Sequence, residues 1–403
     1  MELRKINISD IGKIITGKTP RTSITENYGG DIPFLTPSDD LTRKHVVKTG
    51  KTLSFKGLNE VKNCLIPEKS ICVSCIGSDL GKVVMTNAPT VTNQQINSII
   101  VNDEFDPDFI YYLMKIVGRE LNFISKTSTA VPIINKSTFS NTEVFVPSLE
   151  NQIRIGEILS SLDDKIELNR QINDNLERQL QCLYREWFIE NPKADWPAVS
   201  LSEIATFTSG YSYKGNELVE NSDTAMATIK NFERNGGFKI DGYKPIVPSP
   251  KLKSEQRAQL FDILVAHTDL TQNAEVIGNA EILLSKDIYK DLIFSMDLVK
   301  VNAKESFPFQ FLLALLLKNP RFKSHCIGYV NGTTVLHMNK RALPDYETII
   351  PSEEDAINLN ATAKAIFCQM SENLTEILNL IQLRDVLLPK LMSGELKINE
   401  IDC

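Results

Sequence analysis

The chain has 403 residues, 42% of them hydrophobic, and a net charge of −7 at neutral pH. That length suits two or three domains with real apolar cores, and the acidic balance excludes a histone-like basic protein. No apolar run reaches the roughly 18 residues of a membrane span, and the N-terminus "MELRKINISD" lacks a signal-peptide core, so a cytoplasmic location is expected.

Near the start, Gly12-x-x-x-x-Gly17-Lys18-Thr19 fits the phosphate-binding pattern G-x-x-x-x-G-K-[ST] at every defined position. Such a loop needs an apolar strand before it and a helix opening at its end. Here "LRKINISDI" alternates with charge, and "PRTSITENYGGDIP" offers no run for a helix. Residues 41–62 then set Arg43, Lys44, Lys48, Lys51, Lys56 and Lys62 against one acid, Glu60, with His45 and Phe55 interleaved. "SICVSCIG" carries Cys72-Val-Ser-Cys75, which reads as a buried strand. Of the seven cysteines, none completes a second CxxC or sits beside a His pair, so buried reduced thiols are expected rather than a metal site. Further β-rich runs are "VVMTNAPTV" and "DILVAHTDL", with helices expected near Phe109–Val117 and Phe309–Lys318.

Residues 149–190 contain no proline. Ile155, Leu159, Leu162, Ile166, Asn169, Asn173, Leu176, Leu180, Leu183 and Trp187 alternate at spacings of four and three, a heptad seam over about five repeats. Ser148 is a plausible N-cap, and Pro192 and Pro197 mark the end. Residues 352–391 repeat the idea. Ser352-x-x-Asp355 has capping-box spacing, and Ala363, Phe367, Met370, Leu374, Ile377, Ile381 and Leu388 form the stripe, closed by Pro389 and Gly394. The net negative charge sits in these two segments: −4 for 149–190 and −5 for 351–403, against +2 for 1–148 and 0 for 191–350.

The remainder also repeats. "ISDIGKIITG" (Ile8–Gly17) aligns with "LSEIATFTSG" (Leu201–Gly210) at an offset of 193, and "STAVPIINK" (Ser128–Lys136) with "GTTVLHMNK" (Gly332–Lys340) at 204. The second offset also maps Pro147-Ser148 onto Pro351-Ser352 and Asn169 onto Asn373. The order is therefore module 1–148, long helix 149–191, module 192–350, long helix and tail 351–403. The expected fold class is α+β: two pseudo-repeated mixed modules joined by two long antiparallel coiled-coil helices. Paired antiparallel, the helices would set the modules at opposite ends of a rod, an arrangement suited to two half-sites.

The repeat tests the phosphate-loop match. The equivalent "ATFTSGYS" (Ala205–Ser212) keeps Gly210 and loses the first glycine and the lysine, as a turn needing glycine would and a nucleotide site would not. Lys18 and Arg21 then serve better as contacts to a nucleic-acid backbone. With Arg43, Lys44, His45, Lys48, Lys51 and Lys56 they form the first candidate DNA patch. The second module places Lys214, Lys230, Arg234, Lys239, Lys244, Lys251, Lys253 and Arg257 at matching places. Such groups neutralise phosphates and give salt-dependent affinity. The four histidines form no ligand pair, and "HTD" at 267–269 reads as a strand end. No G-x-S-x-G motif and no Asn/Asp-Pro-Pro-aromatic methylation loop is present.

"VFVPSLENQIRIGEILSSLDDKIELN" (Val144–Asn169) resembles the lead-in and central helix of the specificity subunits of Type I restriction–modification systems, through Pro147, Leu149, Glu150, Gln152, Ile155, Leu159, Leu162, Asp163 and Ile166. "LYREWF" (Leu183–Phe188), "LLPKLMSGEL" (Leu387–Leu396) and "ITGKTP" (Ile15–Pro20) resemble that family's helix ends and the opening of its first recognition domain. The second lead-in, "IIPSEEDAINLNA", lacks the Glu-Gln step and has Asp355-Ala356 at the place of Asn151-Gln152. The resemblance implies two target-recognition domains reading a bipartite site in double-stranded DNA, with the helices as a ruler. It implies two methyltransferase subunits carrying S-adenosylmethionine, separate restriction subunits using ATP and Mg²⁺, and no catalytic centre, metal or cofactor in this chain. Two other readings stand beside it: a nucleotide hydrolase using Lys18 and Thr19, and a coiled-coil adaptor without a DNA role.

Overall fold

The structure is a computed structural model describing residues 2–46, 48–125, 133–234, 236–271, 273–332 and 335–396. The chain divides into two compact units, Met1–Ile166 with Leu380–Cys403, and Glu167–Asn379. Each holds one module and a stretch of both long helices.

The first module contains β1 (Arg4–Asn7), β2 (Gly12–Thr16), β3 (Tyr28–Leu35), β4 (Lys51–Leu53), β5 (Leu65–Ile66), β6 (Ile71–Ser74), β7 (Val83–Met85), β8 (Thr90–Thr92), β9 (Ile96–Val101) and β10 (Glu143–Val146). Its helices are α1 (Ile8–Ile11), α2 (Phe55–Glu60), α3 (Pro107–Ser125) and α4 (Lys136–Ser140). One sheet has the order β2-β9-β6-β7, a second β4-β3-β8-β5, and β1 pairs with β10. The first sheet is antiparallel throughout; the second has a parallel pair, β3 with β8, at its centre. Strand β6 explains why "SICVSCIG" reads as a buried strand: all four residues of β6 are buried, including Ser74. Ile71 and Val73 pack on Phe109, Ile110 and Leu113 of α3, while Cys72 faces Leu35 and Ile66 of the second sheet. Cys72 and Cys75 are buried free thiols, and burial pushes them up to about 12 and about 11.

Helix α5 (Leu149–Arg185) leads into the second module, with β11 (Ala198–Ser200), α6 (Leu201–Ile204), β12 (Ala205–Ser209), β13 (Thr224–Ala227), β14 (Lys244–Pro245), β15 (Arg257–Ala258), β16 (Ile263–Ala266), β17 (Thr268–Asp269), β18 (Ala280–Ile282), β19 (Asp291–Phe294), β20 (Leu298–Ala303), α7 (Gln310–Leu317), α8 (Pro320–Ile327), β21 (Val330–Asn331), β22 (Leu336–Met338) and β23 (Glu347–Ile349). Sheet orders β12-β20-β16-β18 and β14-β13-β19-β15 reproduce the first module strand for strand, including the parallel β13–β19 pair and the closing β11–β23 pair. The Ile8–Gly17 and Leu201–Gly210 correspondence falls on identical elements, a short helix turning into the first strand. The "STAVPIINK"/"GTTVLHMNK" correspondence lies partly outside the described residues. Module 2 also carries a small sheet β17-β22-β21, and its antiparallel β17–β22 pairing has a counterpart in the Ile76–Ile133 bridge of module 1. There Asp269, of the "HTD" run, caps its own loop by accepting from Thr271 and Val276.

The long helices α5 and α9 (Glu353–Ser393) run 37 and 41 residues, about 55–60 Å each. Within each unit their segments are antiparallel. In the second, Asn169 meets Glu376 at 2.7 Å, and Asn373 donates to Asn173 at 2.7 Å. In the first, Asp163 meets Arg384. The heptad seam is a coiled-coil contact only in part. Ile155 and Leu159 join the first module's core together with Leu388 and Leu391, whereas Leu180, Tyr184 and Phe188 join the second module's core with Ala363, Phe367 and Met370. Ile166, Asn169 and Ile377 are buried; Leu162, Asn173, Leu176, Leu183, Leu374 and Ile381 are half-buried. Pro389 does not close α9, which continues to Ser393 and stops at Gly394, φ 75°. Full burial of Leu388 and Leu391 outweighs the roughly 3 kcal/mol cost of an interior proline.

The two module helices are started differently. Asp106 precedes Pro107 and accepts from the Phe109 N–H at 2.8 Å, so α3 is capped from within its module. A Cβ on Gly156 of α5 would come within 2.5 Å of that carboxylate. In the second module no side chain of the N-cap residue Phe309 caps α7. Instead Asn360 of α9 accepts from the N–H groups of Phe311 and Leu312 at 3.0 and 3.1 Å. Gly156 and Asn360 are equivalent positions at the 204 offset. The absent Glu-Gln step has a similar sense. Gln152 is buried, donating to Pro147 O and accepting from Asp106 N–H, and its counterpart Ala356 is buried among apolar groups.

Candidate nucleic-acid interface

Strands β2 and β12 each end on a glycine wedged against backbone. The Gly17 N–H donates to Ile96 O at 3.1 Å and the Gly210 N–H to Leu298 O at 3.3 Å. A Cβ would stand 2.2 Å from Thr92 O in one case and 2.0 Å from Ser295 O in the other. Neither glycine has positive φ, so close approach is what demands the missing side chain. The next N–H groups repeat the pattern: Lys18 donates to Thr92 O at 2.9 Å and Tyr211 to Phe294 O at 2.7 Å. Gly12–Thr19 is therefore a strand running into a pinned crossing. The Gly17 and Lys18 N–H groups, which a phosphate cradle would use, are already bonded, and no helix opens at Thr19.

Around this crossing the first module gathers cations. Lys18 is exposed on the loop after β2, and its charge reaches the Cys64 thiol, whose Sγ lies 3.7 Å from Thr16 O. Thr19 donates to Gln94 Oε1 at 2.7 Å, tying the loop to the β8–β9 turn. Lys48, Lys51 and Lys62 are exposed and make no ion pair among the described residues, and Lys56 stands 3.9 Å from Glu26. Phe55, at the start of α2, is 79% exposed.

Other members of the sequence-derived patch have different duties. Lys44 is a correction: its side chain is 7% exposed, and its ammonium is held by Asp108 and by Ser160 Oγ at 2.7 Å, so it cannot reach a phosphate. His45 is half-buried, its Nδ1 3.1 Å from Met85 O, and burial followed by the Lys44 charge lowers its pKa. Arg43 pairs with Asp40 at 3.2 Å. Arg21 is gripped by Glu60 through its guanidinium and its own N–H, which holds the Glu60 carboxyl down to about 2.

In the second module the patch separates into two groups. Lys214 is exposed on the loop that starts at Tyr211, and the Tyr211 hydroxyl bonds Ser249 Oγ at 2.8 Å, bringing Lys251 and Lys253 alongside. Gln256 Nε2 donates to Gly210 O, fixing this segment against the pinned glycine. Lys253 stands 3.8 Å from Glu255. Lys230, Arg234 and Lys239 belong instead to an excursion closed by Asn231 on Lys239 O, with Arg234 paired to Glu275 at 3.1 Å. Lys244 is half-buried in β14, and Arg257 in β15 is paired with Asp291.

Sequence reading passed over two buried polar clusters. Asp163 accepts from Tyr112 OH at 2.6 Å and from Arg384. Lys318 sits between Glu281 and Glu177; burial lowers its pKa, but the two carboxylates outweigh that and raise it. Neither leaves a periodic trace in the sequence. Among the described residues no group of three His, Cys, Asp or Glu could hold a metal ion, and no helix is long and apolar enough to cross a membrane.

Comparison with known proteins agrees with this architecture. Residues 2–178 match the family model of the Type I restriction modification DNA specificity domain. The MjaIX specificity subunit of Methanocaldococcus jannaschii is 27% identical over 416 residues, covering 98% of this chain and 93% of that protein. The HindI specificity subunit of Haemophilus influenzae is 43% identical over 145 residues, 36% of this chain and 31% of its own. The crystal structure of the Type I restriction–modification S subunit from M. genitalium superposes with a TM-score of 0.57 at 15% identity, covering 97% and 96% of the two chains, and so shares the fold. Residues 2–178 thus match the Type I restriction modification DNA specificity domain, and the chain over nearly its whole length is similar to specificity subunits of Type I restriction enzymes.

Proposed function

We propose that this chain is the non-catalytic subunit that reads a bipartite site in double-stranded DNA and directs methyltransferase and restriction subunits to it. Each module takes one half-site, and the antiparallel helices set the gap between them. S-adenosylmethionine, ATP and Mg²⁺ belong to those partner subunits. The domains on this reading are residues 1–148, 149–191, 192–350 and 351–403. The observation that carries the proposal is the duplication: one strand order built twice, each copy presenting exposed lysines around an equivalent glycine-pinned crossing. Repetition at a fixed separation is what a two-part DNA target requires. Lysines without acidic partners supply the salt-dependent phosphate term.

The test is binding of the purified complex to duplexes carrying two half-sites at varied spacing. Sequence preference at both halves, with one optimal gap, is expected. Inserting a heptad between Asn169 and Asn173 should change the gap and leave the half-sites unchanged. Affinity indifferent to sequence at both halves would sink the reading.

A further inference from the structure

Three residues join β8 to β9, Asn93-Gln94-Gln95, and three join β19 to β20, Ser295-Met296-Asp297. The two connections are bonded alike at the backbone groups of their first and third residues. The first residue's N–H donates to the end of the neighbouring parallel strand: Asn93 to Leu35 O at 3.0 Å, Ser295 to Ala227 O at 2.9 Å. Its carbonyl accepts from the first residue of the next strand, Ile96 at 3.2 Å or Leu298 at 2.9 Å. The third carbonyl accepts from Cys75 N–H in one module and His267 N–H in the other, both at 2.8 Å. The first side chain accepts from the third N–H, Asn93 Oδ1 from Gln95 at 3.1 Å and Ser295 Oγ from Asp297 at 3.3 Å.

The frame therefore leaves one side chain per module with no part in it: Gln94, exposed, and Met296, 55% exposed. Both stand beside the glycine-pinned crossing, Gln94 tied to Thr19 and the Met296 N–H bonded to Tyr211 O at 2.9 Å. Exposed lysines flank both, Lys18 in one module and Lys214 in the other. A turn this completely bonded does not need a methionine at its tip for stability.

We infer that Gln94 and Met296 are equivalent base-reading residues, one for each half of the DNA target. The inference rests on the proposed DNA-reading function. Its chemistry differs between the two modules. The Thr19 hydroxyl takes one lone pair of Gln94 Oε1, leaving the second lone pair and the Nε2 donors for the N6 and N7 edge of an adenine in the major groove. Met296 has no strong donor or acceptor and reads by apolar contact, for which the thymine methyl is the matching group.

The experiment selects a randomised duplex library on the intact complex containing wild-type chain, Gln94→Ala or Met296→Gln, and sequences what is retained. For Gln94→Ala, the preference at a single adenine–thymine pair of one half-site should fall by roughly 5- to 150-fold, with the other half-site and the salt dependence unchanged. Met296→Gln should change the preferred base at a single position of the other half-site. Both substitutions are at exposed tips, and unchanged melting temperatures confirm folding. Preferences within twofold of wild type at every position, or a uniform loss of affinity with a weaker salt dependence, would overturn the inference while leaving the bipartite reading intact. A wild-type complex that shows no two-part preference would remove the underlying function instead.

Discussion

Asp163 and Arg384, 221 positions apart in the chain, meet as an ion pair at 2.5 Å with both side chains nearly shielded from solvent, 7% and 12% exposed. The other Asp163 oxygen accepts from Tyr112 OH, so a single carboxylate joins α5, α9 and the module helix α3 within the first unit. Arg384→Ala would leave that carboxylate buried without its cation. A loss on the order of 3–5 kcal/mol is expected, read as a lower urea midpoint. Tyr112→Phe, which removes one neutral donor to the charged group, should cost about 2 kcal/mol. Equal, small effects from both would show that the cluster is already hydrated.

Gly17→Ala and Gly210→Ala place a methyl group against a carbonyl oxygen in the corresponding crossing of each module. Each should destabilise its own unit by about 1–3 kcal/mol, seen in thermal unfolding. Each should also weaken DNA binding at one half-site only, because the loop that carries Lys18 or Tyr211 must shift. Parallel loss at both half-sites would contradict the independence of the modules.

Lys18 and Lys44 separate surface cations from structural ones. Lys18→Ala should lower DNA affinity across all sequences and reduce the salt slope by about 1, with the melting temperature unchanged. Lys44→Ala should do the reverse, destabilising the first unit through the orphaned Asp108 while leaving the salt slope alone. A slope that falls with Lys44→Ala would return this residue to the interface.

Lys115 lies over the Tyr111 ring, and burial, with Arg384 adding to it, holds its pKa down to about 8. The folded state therefore binds fewer protons than the unfolded state between about pH 8 and the ordinary lysine value. Stability should rise as pH climbs through that window, by on the order of 2 kcal/mol if other groups are held constant. Lys115→Met should flatten the rise and stabilise the protein at pH 7. Urea unfolding at pH 7 and pH 10 checks both.

The features legible in the sequence were local ones. A seam at spacings of three and four residues announces Leu149–Arg185 and Glu353–Ser393, because helical period depends only on neighbours. A short run dominated by Ile, Cys and Val announces β6. What stayed hidden depends on partners far along the chain. Lys44 looked like part of a basic surface until Asp108 and Ser160 enclosed it. Arg384 carries no mark of its pairing with Asp163. The β8–β9 turn aligns with β19–β20 through an offset of 202 residues, between the 193 and 204 seen from the termini, and shares almost no residue types. Only the hydrogen bonds reveal the equivalence.

Gly156 and Asn360 have a consequence for inheritance. One position on each long helix works like a lock for the module beside it: empty where the module brings its own cap, as Asp106 does, and filled by an amide where α7 arrives without one. A module grafted into the other slot meets the wrong lock, an asparagine crowding its aspartate or a glycine leaving two N–H groups bare. Shuffling of recognition modules between such chains would thus succeed when the crossover carries the first three turns of the following helix along, and falter when it stops at the module's edge.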